Sequence, residues 1–271
     1  MLKSNLKYII KNNYWLQILS LKIKYFFSNK YYEIDFSIIK NKRFRTYVDI
    51  GAYRGEYINF LKTRSKKIIA FEPIKRNFNL LNNLFKKYDV FLKNYALGNK
   101  KQSMKINIPL YLDENKKITA IGSDQSSLVK NFKDKFTQIV QIQTGDYFLS
   151  KINDIDLIKI DVEGYELEVL MGLKKTLKLN KPYLLIEIEK RHTKNYLKVF
   201  KFLKSLSYDF YYVDKLNSLK EIDGKKIKDF FLENQKIKHL KKESLIKNYI
   251  NFYNKKKYIC NFWFINKFPK E

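Results

Sequence analysis

The segment that most constrains the fold spans residues 46–55 and reads Thr-Tyr-Val-Asp-Ile-Gly-Ala-Tyr-Arg-Gly. It predicts a buried strand ending in the carboxylate of Asp49, then a turn at Gly51 and Gly55 that opens a helix. Glycine has no Cβ, so a ligand can approach the backbone of such a turn closely. Glu72 follows about twenty residues later, where a nucleotide-binding α/β fold holds a ribose by its hydroxyl groups. The segment therefore predicts an α/β fold with a nucleotide site.

From this segment onward the chain alternates strand and helix patterns, which is typical of a mostly parallel sheet. We predict a seven-stranded sheet with helices on both faces. The expected strands are 47–50, 67–71, 90–95, 156–161, 183–189, 208–213 and 259–266. The expected helices are 55–63, 76–87, 168–177 and 195–205.

Residues 1–45 are predicted to form an N-terminal helical extension of one domain that spans 46–271. No secretory signal is evident, and lysines interrupt the apolar stretch 8–27 too often for it to span a bilayer. The extension either docks on the domain or lies as a basic amphipathic helix on a membrane surface. Its apolar face would contain Leu16, Leu19, Ile23 and Phe26.

Two insertions interrupt the alternation. The first insertion is residues 99–140. The stretches 104–112 and 139–144 alternate like antiparallel strands, which predicts a β-hairpin-like insertion at a sheet edge. Residues 215–257 are lysine-rich and too long for an ordinary connection between strands, so they are either functional or mobile.

The formal charge of +28 raises the question of nucleic-acid binding. Only six of the 55 basic residues are arginine, whereas phosphate and base recognition relies on arginine forks. An AT-rich coding sequence would enrich lysine without any functional selection. The sequence therefore does not favour nucleic acid as the partner, although an anionic membrane surface stays open.

The single cysteine, Cys260, excludes an intramolecular disulfide and fits a reducing compartment. We therefore expect a cytoplasmic protein, with peripheral contact at the inner face of the membrane as an open option. A structural zinc site is not expected, because the chain has no Cys/His cluster.

Polar residues recur at the predicted carboxyl ends of the strands, where open α/β sheets bind ligands. Lys159 is anomalous because it interrupts a strand that should be apolar throughout. It is either buried beside a carboxylate from Asp49, Asp161 or Glu187, or it lies at a sheet edge. His192, one of two histidines, follows the fifth strand and is a candidate general base. The acids at this edge are Asp49, Glu72, Asp161, Glu163, Glu187 and Glu189.

The chemistry of the glycine turn favours one cofactor. The chain lacks the G-x-G-x-x-G pattern that brings a backbone close to a pyrophosphate. The carboxylate of Asp49 suits a ligand with a positive amino group, and S-adenosylmethionine carries such a group, a sulfonium and a ribose. The residues therefore favour methyl transfer over hydride transfer.

A family resemblance supports this interpretation. Its ordered motifs are Val48–Gly55, Phe71–Pro73, Tyr95–Gly98, Ser126–Leu128, Thr144–Tyr147, Ile158–Glu166, Glu168–Gly172, Pro182–Glu187 and Asn261–Phe264. Together they resemble the FkbM family of S-adenosylmethionine-dependent methyltransferases over residues 46–213 and 258–266. Two positions depart from the family pattern: Tyr53 stands where asparagine is usual, and Gly145 where leucine is usual.

The resemblance implies a Rossmann-like class I methyltransferase fold that methylates a hydroxyl of a glycan, a lipid or a secondary metabolite. Asp161 would lie nearest the transferred methyl group. The implied cofactor residues are Asp49, Gly51 and Gly55 along the methionine part, Glu72 at the ribose, Ala96 and Leu97 at the adenine edge, and in addition Ala52, Tyr53, Pro73 and Asp161.

An alcohol must lose its proton before it attacks a methyl group, so a base is expected within hydrogen-bond reach. The candidates are His192 and Asp161, with Glu163 and Lys159 orienting or tuning the base. A divalent metal held by acids near Asp161 is possible but not favoured, and no metal ligand is assigned. The alternative functions are methylation of RNA 2′-hydroxyls and a non-catalytic, basic binding protein on the same fold.

Overall fold

The computed structural model describes residues 16, 18–20, 23, 35–112, 118–121, 126–129, 131, 133–214, 216–235 and 259–267. These residues form two sheets. The main sheet has eight strands in the order β3 (Val90–Lys93), β2 (Ser65–Phe71), β1 (Phe44–Ile50), β8 (Ile155–Ile160), β9 (Tyr183–Glu187), β12 (Asn261–Asn266), β10 (Tyr208–Val213) and β11 (Leu219–Glu221). The second sheet has the order β4 (Ala96–Gly98), β7 (Lys135–Thr144), β5 (Gln102–Leu112) and β6 (Ile118–Ile121).

Helices cover both faces of the main sheet, as predicted. Apolar side chains of β1 alternate between two cores, with Tyr47 in the core that contains the helices of residues 56–61 and 75–85, and Val48 in the core that contains those of residues 166–204. Because both faces are covered, β1 is buried at six of its seven residues and β8 at five of its six. The helices are α1 (Phe36–Ile39), α2 (Glu56–Leu61), α3 (Lys75–Phe85), α4 (Gly145–Leu149), α5 (Glu166–Gly172), α6 (Lys174–Asn180), α7 (Tyr196–Lys204) and α8 (Ile227–Asn234).

All seven predicted strands are present, but the predicted number of strands is wrong. β3, β2, β1, β8 and β9 run parallel, and β12 is antiparallel to both of its neighbours. The eighth strand, β11, comes from the lysine-rich insertion and pairs antiparallel with β10 at the edge. A tight turn makes this pairing possible: Asp214 accepts hydrogen bonds from the backbone N–H groups of Leu216 and Ser218.

The insertion is more than a hairpin. β5 and β7 pair antiparallel as expected, but β6 extends the sheet on one side and β4 joins it in parallel on the other. The predicted strand 90–95 therefore ends at Lys93, and the chain changes sheets at Asn94. The side-chain amide of Asn94 secures this change by donating to the carbonyl oxygens of Glu72 and Pro73, at 2.8 and 3.0 Å.

The N-terminal extension contacts the domain at Asp35 and Ile18. The buried carboxylate of Asp35 accepts hydrogen bonds from Trp263 Nε1 (2.9 Å) and Asn261 Nδ2 (2.7 Å) of β12. Ile18 is buried against Leu80 of α3. Leu19 and Ile23, which we expected on the apolar face, are instead 53% and 50% exposed. Most of the predicted helix 8–27 lies outside the described residues, as does 236–258 of the lysine-rich insertion.

The described helices are short. The longest of those given above, α3, has eleven residues. Within the ranges that the structure describes, none combines the length and apolar character that a membrane span requires.

Candidate active site

Asp49 lies at the carboxyl end of β1, beside Lys159 of β8 in the sheet register. Its side chain is 1% exposed, and its Oδ1 atom has no hydrogen-bond partner among the described residues. Burial raises the pKa of Asp49 to about 6, although the nearby Lys159 acts in the opposite direction. A buried carboxylate oxygen without a partner is costly, so this position is suited to a cationic ligand.

Lys159 lies in the middle of the main sheet and is 6% exposed. Its Nζ atom is 3.0 Å from Asp161 Oδ2 and 4.7 Å from the centre of the Tyr57 ring. The interpretation of a buried lysine beside a carboxylate is therefore confirmed, and that of a lysine at a sheet edge is wrong. The lysine compensates part of the negative charge that Asp49 and Asp161 bring to the carboxyl ends of β1 and β8.

The glycine turn is shaped by protein neighbours. Gly51 has φ +84°, and a Cβ there would lie 1.9 Å from the carbonyl oxygen of Asp161. Gly55 has φ +83°, and a Cβ there would lie 2.5 Å from the ring of Phe85 in α3. Both glycines are thus required by packing within the chain. Close approach of a ligand to this turn stays a prediction.

The side chain of Glu72 connects the glycine turn to the end of β2 through hydrogen bonds. Its carboxylate accepts hydrogen bonds from the backbone N–H groups of Tyr53 (2.8 Å) and Ile74 (2.9 Å) and from Asn77 Nδ2 (3.3 Å). Burial raises the pKa of Glu72 to about 7, against these hydrogen bonds. The structure places Glu72 beside the turn, and its role at a ribose stays a prediction.

The positions predicted for the adenine are buried in β4. Ala96 and Leu97 both lie in the apolar core between the two sheets. Pro73 is nearby in a polar setting, since its carbonyl oxygen accepts hydrogen bonds from Asn94 and from Gln138 of β7. The second sheet is therefore attached to the main sheet beside the carboxyl end of β2.

The structure explains one of the two departures from the family motifs. Tyr53 adopts a left-handed backbone conformation with φ +48°, which asparagine tolerates better, so this conformation does not explain the tyrosine. The Arg54 guanidinium lies 5.0 Å from the centre of the Tyr53 ring. At Gly145 the space for a side chain is filled, because a Cβ there would lie 2.2 Å from Leu173 Cδ2.

His192 forms a buried pair with Glu163. Its Nδ1 atom is 2.6 Å from Glu163 Oε2, so this nitrogen carries the shared proton. Its Nε2 atom lies 3.7 Å from Glu189 Oε1 and has no hydrogen-bond partner in the part of the chain that is described. Glu189 is in turn paired with Arg191 through two contacts of 2.5 and 2.8 Å. The imidazole is thus fixed in the tautomer that leaves the Nε2 lone pair available.

The local charge of this edge is negative, although the chain is strongly basic. Asp161 is 29% exposed at its side chain, and Glu187 is partly exposed beside it. Burial, reinforced by the charge of Asp161, raises the pKa of Glu187 well above its usual value. Among the described residues, no set of His, Cys, Asp and Glu is arranged to hold a metal ion.

A known protein family matches the part of the chain that carries this geometry. The family model of the FkbM methyltransferase domain matches residues 49–210, which include the glycine turn, Glu72, Asp161 and His192. The chain belongs to the FkbM methyltransferase family. It is a methyltransferase that depends on S-adenosylmethionine. No curated protein matches the chain.

Solved structures resemble parts of this FkbM methyltransferase. One is an FkbM methyltransferase from Methylobacillus flagellatus, with 18% identity, a TM-score of 0.39 and coverage of 59% of this chain. The match spans only 37% of that protein. A precorrin-6y C5,15-methyltransferase from Geobacter metallireducens has 13% identity and a TM-score of 0.37, covering 69% and 80% of the two chains. An rRNA methylase from Streptococcus thermophilus has 14% identity and a TM-score of 0.40, covering 70% and 94%.

Several residues of the FkbM methyltransferase site were not anticipated from the sequence. Ser127 Oγ donates to the carbonyl oxygen of Glu163 at 2.8 Å, which gives the Ser-Ser-Leu motif a structural role. Glu166 is buried, accepts the backbone N–H of Gly164 at 2.7 Å, and has its pKa raised by burial to about 8. The signal for Glu166 was its place in the Ile158–Glu166 motif. Tyr57 gave no signal, because its contact with Lys159 spans two distant segments.

Proposed function

We propose that this methyltransferase transfers the methyl group to a hydroxyl of a glycan, a glycolipid or a related secondary metabolite. The observation that carries the proposal is the His192–Glu163 pair, in which Glu163 holds Nδ1–H and the buried Nε2 lone pair has no hydrogen-bond partner among the described residues. Alcohols need such a base, because their hydroxyl is a weak nucleophile while it is protonated.

The residues at the end of β1 fit the cofactor. When bound, S-adenosylmethionine supplies an activated methyl group on a sulfonium. Asp49 Oδ1, which has no hydrogen-bond partner among the residues that the structure describes, complements the positive amino group of its methionine part. Glu72 would complement the ribose, and the raised pKa of its carboxyl allows it to donate as well as accept a hydrogen bond.

In the proposed mechanism His192 takes the proton of the acceptor hydroxyl at Nε2. Glu163 holds Nδ1–H and stabilises the imidazolium that forms, as a carboxylate does in a catalytic triad. Glu189, 3.7 Å from Nε2, adds a second negative charge near the imidazolium. Asp161 is the alternative base, since its carboxylate is more accessible than the imidazole.

The charge around the site favours a neutral acceptor. Burial and the charges of Asp161, Glu189 and Glu163 raise the pKa of Glu187, so these carboxyl groups lie close together. Carboxyl groups bind sugar hydroxyls as donors or acceptors, whereas the ionised carboxylates among them repel phosphates. A polyanionic RNA backbone is therefore a poorer acceptor here than a glycan, and RNA 2′-hydroxyl methylation has no specific observation in its favour.

Transfer of tritiated methyl groups from labelled cofactor to a panel of glycans, glycolipids and RNA tests the acceptor class. We expect label in a glycan or glycolipid fraction and none in RNA. The same protein should bind S-adenosylmethionine in calorimetry. Asp89→Asn, which removes an exposed aspartate away from the site, is the matched control for substitutions of the site's aspartates.

Two results would overturn the proposal. Label that enters RNA alone would replace the acceptor class. Label that enters amino groups but no hydroxyl would remove the need for a base at His192. Absence of cofactor binding by the unmutated protein would instead favour a binding protein on the methyltransferase fold.

A further inference from the structure

A basic groove lies at the opposite edge of the main sheet, where β1, β2 and β8 begin. Its volume is about 440 Å³. Four cations and one carboxylate line it, so its charge is positive. The residues that define this basic groove are Arg43, Arg45, Arg64, Ser65, Lys66 and Asp156.

The arginine content of the basic groove departs from the composition of the chain. The chain has six arginines among 55 basic residues, and three of the six line this one groove. A coding bias towards lysine would scatter lysines over the surface, and it does not explain arginines gathered at one place. Arginine is the residue that binds phosphate with two parallel hydrogen bonds.

Backbone carbonyl groups hold two of the guanidinium groups in position without neutralising them. Arg43 donates to the carbonyl oxygen of Thr63 at 2.6 Å. Arg64 donates to the carbonyl oxygens of Lys40 (3.1 Å) and Phe60 (2.9 Å). A guanidinium has five N–H donors, so both arginines keep donors for a ligand.

The third arginine is partly neutralised. Arg45 forms a forked ion pair with Asp156. The Nη2 atom of Arg45 lies 2.6 Å from Asp156 Oδ1, and its Nε atom lies 3.1 Å from the same oxygen. Lys66 is exposed beside it on β2. Ser65 adds a hydroxyl whose Oγ has no hydrogen-bond partner within the described ranges. The basic groove therefore combines oriented cations, an excess of positive charge and an unsatisfied polar atom.

We propose that the basic groove binds a phosphate group of an anionic ligand. This site is separate from the cofactor site, since the seven residues of β1 span about 20 Å between the two edges. It goes beyond the proposed methyl transfer and does not depend on it. A phosphate bound there would hold a ligand or the enzyme on the side of the molecule away from the chemistry.

Calorimetry with inorganic pyrophosphate at low salt tests the site. Arg43→Gln/Lys66→Gln should weaken binding about tenfold or more, because it removes two cations that can donate charge-assisted hydrogen bonds to the phosphate. The control is Lys86→Gln/Lys87→Gln, which removes the same charge from exposed positions after α3 and should change binding less than about twofold. Melting temperatures verify folding, and Lys66→Gln alone replaces the double variant if that variant unfolds.

Two outcomes would overturn the proposal: no binding of pyrophosphate by the unmutated protein, or equal weakening in both double variants. A second measurement identifies the source of the phosphate. Sedimentation with phosphatidylcholine vesicles that contain phosphatidylglycerol should depend on Arg43 and Lys66 if the phosphate is a lipid headgroup. Pyrophosphate binding that depends on these residues, with vesicle sedimentation that does not, assigns the groove to a soluble phosphate ligand.

Discussion

The two edges of the main sheet carry opposite charge and hold it in different ways. At the carboxyl edge, Asp49, Glu72 and Glu166 are buried, and burial raises the pKa of each carboxyl above its ordinary value. At the amino edge, Arg43 and Arg45 are exposed and bonded to a carbonyl group and a carboxylate. The net charge of +28 for the whole chain therefore does not show how charge is distributed between the two edges.

The acidic edge and the basic edge of the one sheet respond differently to pH. The acidic edge changes its charge between about pH 5 and 8, since the pKa values of its buried acids lie there. The arginines of the basic groove stay charged over that range. Measurements that vary pH and residue at one edge should therefore leave the other edge unaffected.

The largest effect is expected at His192. His192→Asn should lower kcat about 100- to 10,000-fold, because it removes the proposed base, while cofactor affinity changes little. Steady-state kinetics with the labelled cofactor measure kcat, and calorimetry measures affinity. Glu163→Gln should also move the pH dependence of kcat, since it replaces the carboxylate that stabilises the imidazolium. If His192→Asn keeps full turnover, Asp161 becomes the base to test.

The next effect concerns Asp49. Asp49→Asn should weaken S-adenosylmethionine binding about 30-fold or more, because it removes the buried charge opposite the ligand's amino group. Calorimetry at pH 7.5 measures the change against Asp89→Asn. Equal affinities of the two variants would show that Asp49 does not contact the cofactor.

A smaller effect follows from the pKa of about 6 at Asp49. As the pH falls below 6, Asp49 is protonated and loses the charge that attracts the cofactor. Affinity should then drop by up to about tenfold per pH unit, and the drop should be absent in Asp49→Asn. Calorimetry between pH 4.5 and 7.5 provides the test, and parallel pH profiles for the two proteins would contradict it.

The last effect is on stability. Glu166 has a folded-state pKa raised to about 8, so its contribution to stability is fully present below its ordinary value of 4.5. That contribution is lost as the pH rises towards 8, by up to about 1.4 kcal/mol per pH unit. Urea unfolding of Glu166→Gln should therefore show a flatter pH dependence than the unmutated protein. Glu233→Gln, an exposed glutamate of α8, should leave the slope unchanged.

Local patterns predicted the acidic edge better than the basic one. The strand of Asp49, the strand of Lys159 and the acids that follow them are short sequence features with a known place in an α/β sheet. The Lys159–Asp161 pair could be foreseen because a lysine inside a buried strand needs a carboxylate. The basic groove could not, since its residues come from the beginnings of three strands that become neighbours only in the sheet.

Long-range contacts also explain the errors in the fold. The turn at Asp214 and the pairing of β11 depend on contacts that no alternation pattern reveals. The predicted strand 90–95 ends at Lys93, and Ala96–Gly98 forms a strand of the second sheet by pairing with β7, more than forty residues away. The glycines of the turn were predicted correctly, whereas the Asp161 carbonyl and the Phe85 ring that require them lie on other elements.

β12 determines when the protein can finish folding. This strand is the last described one in the chain, yet it lies between β9 and β10 and pairs with both. Until a ribosome has released residues 261–266, the sheet lacks an interior strand, and the rings of Phe200 and Phe231 lack their partner Phe262. Asp35 also lacks its partners Trp263 and Asn261 until that strand is made. The main sheet is thus completed only when residues 261–266 can pair with β9 and β10.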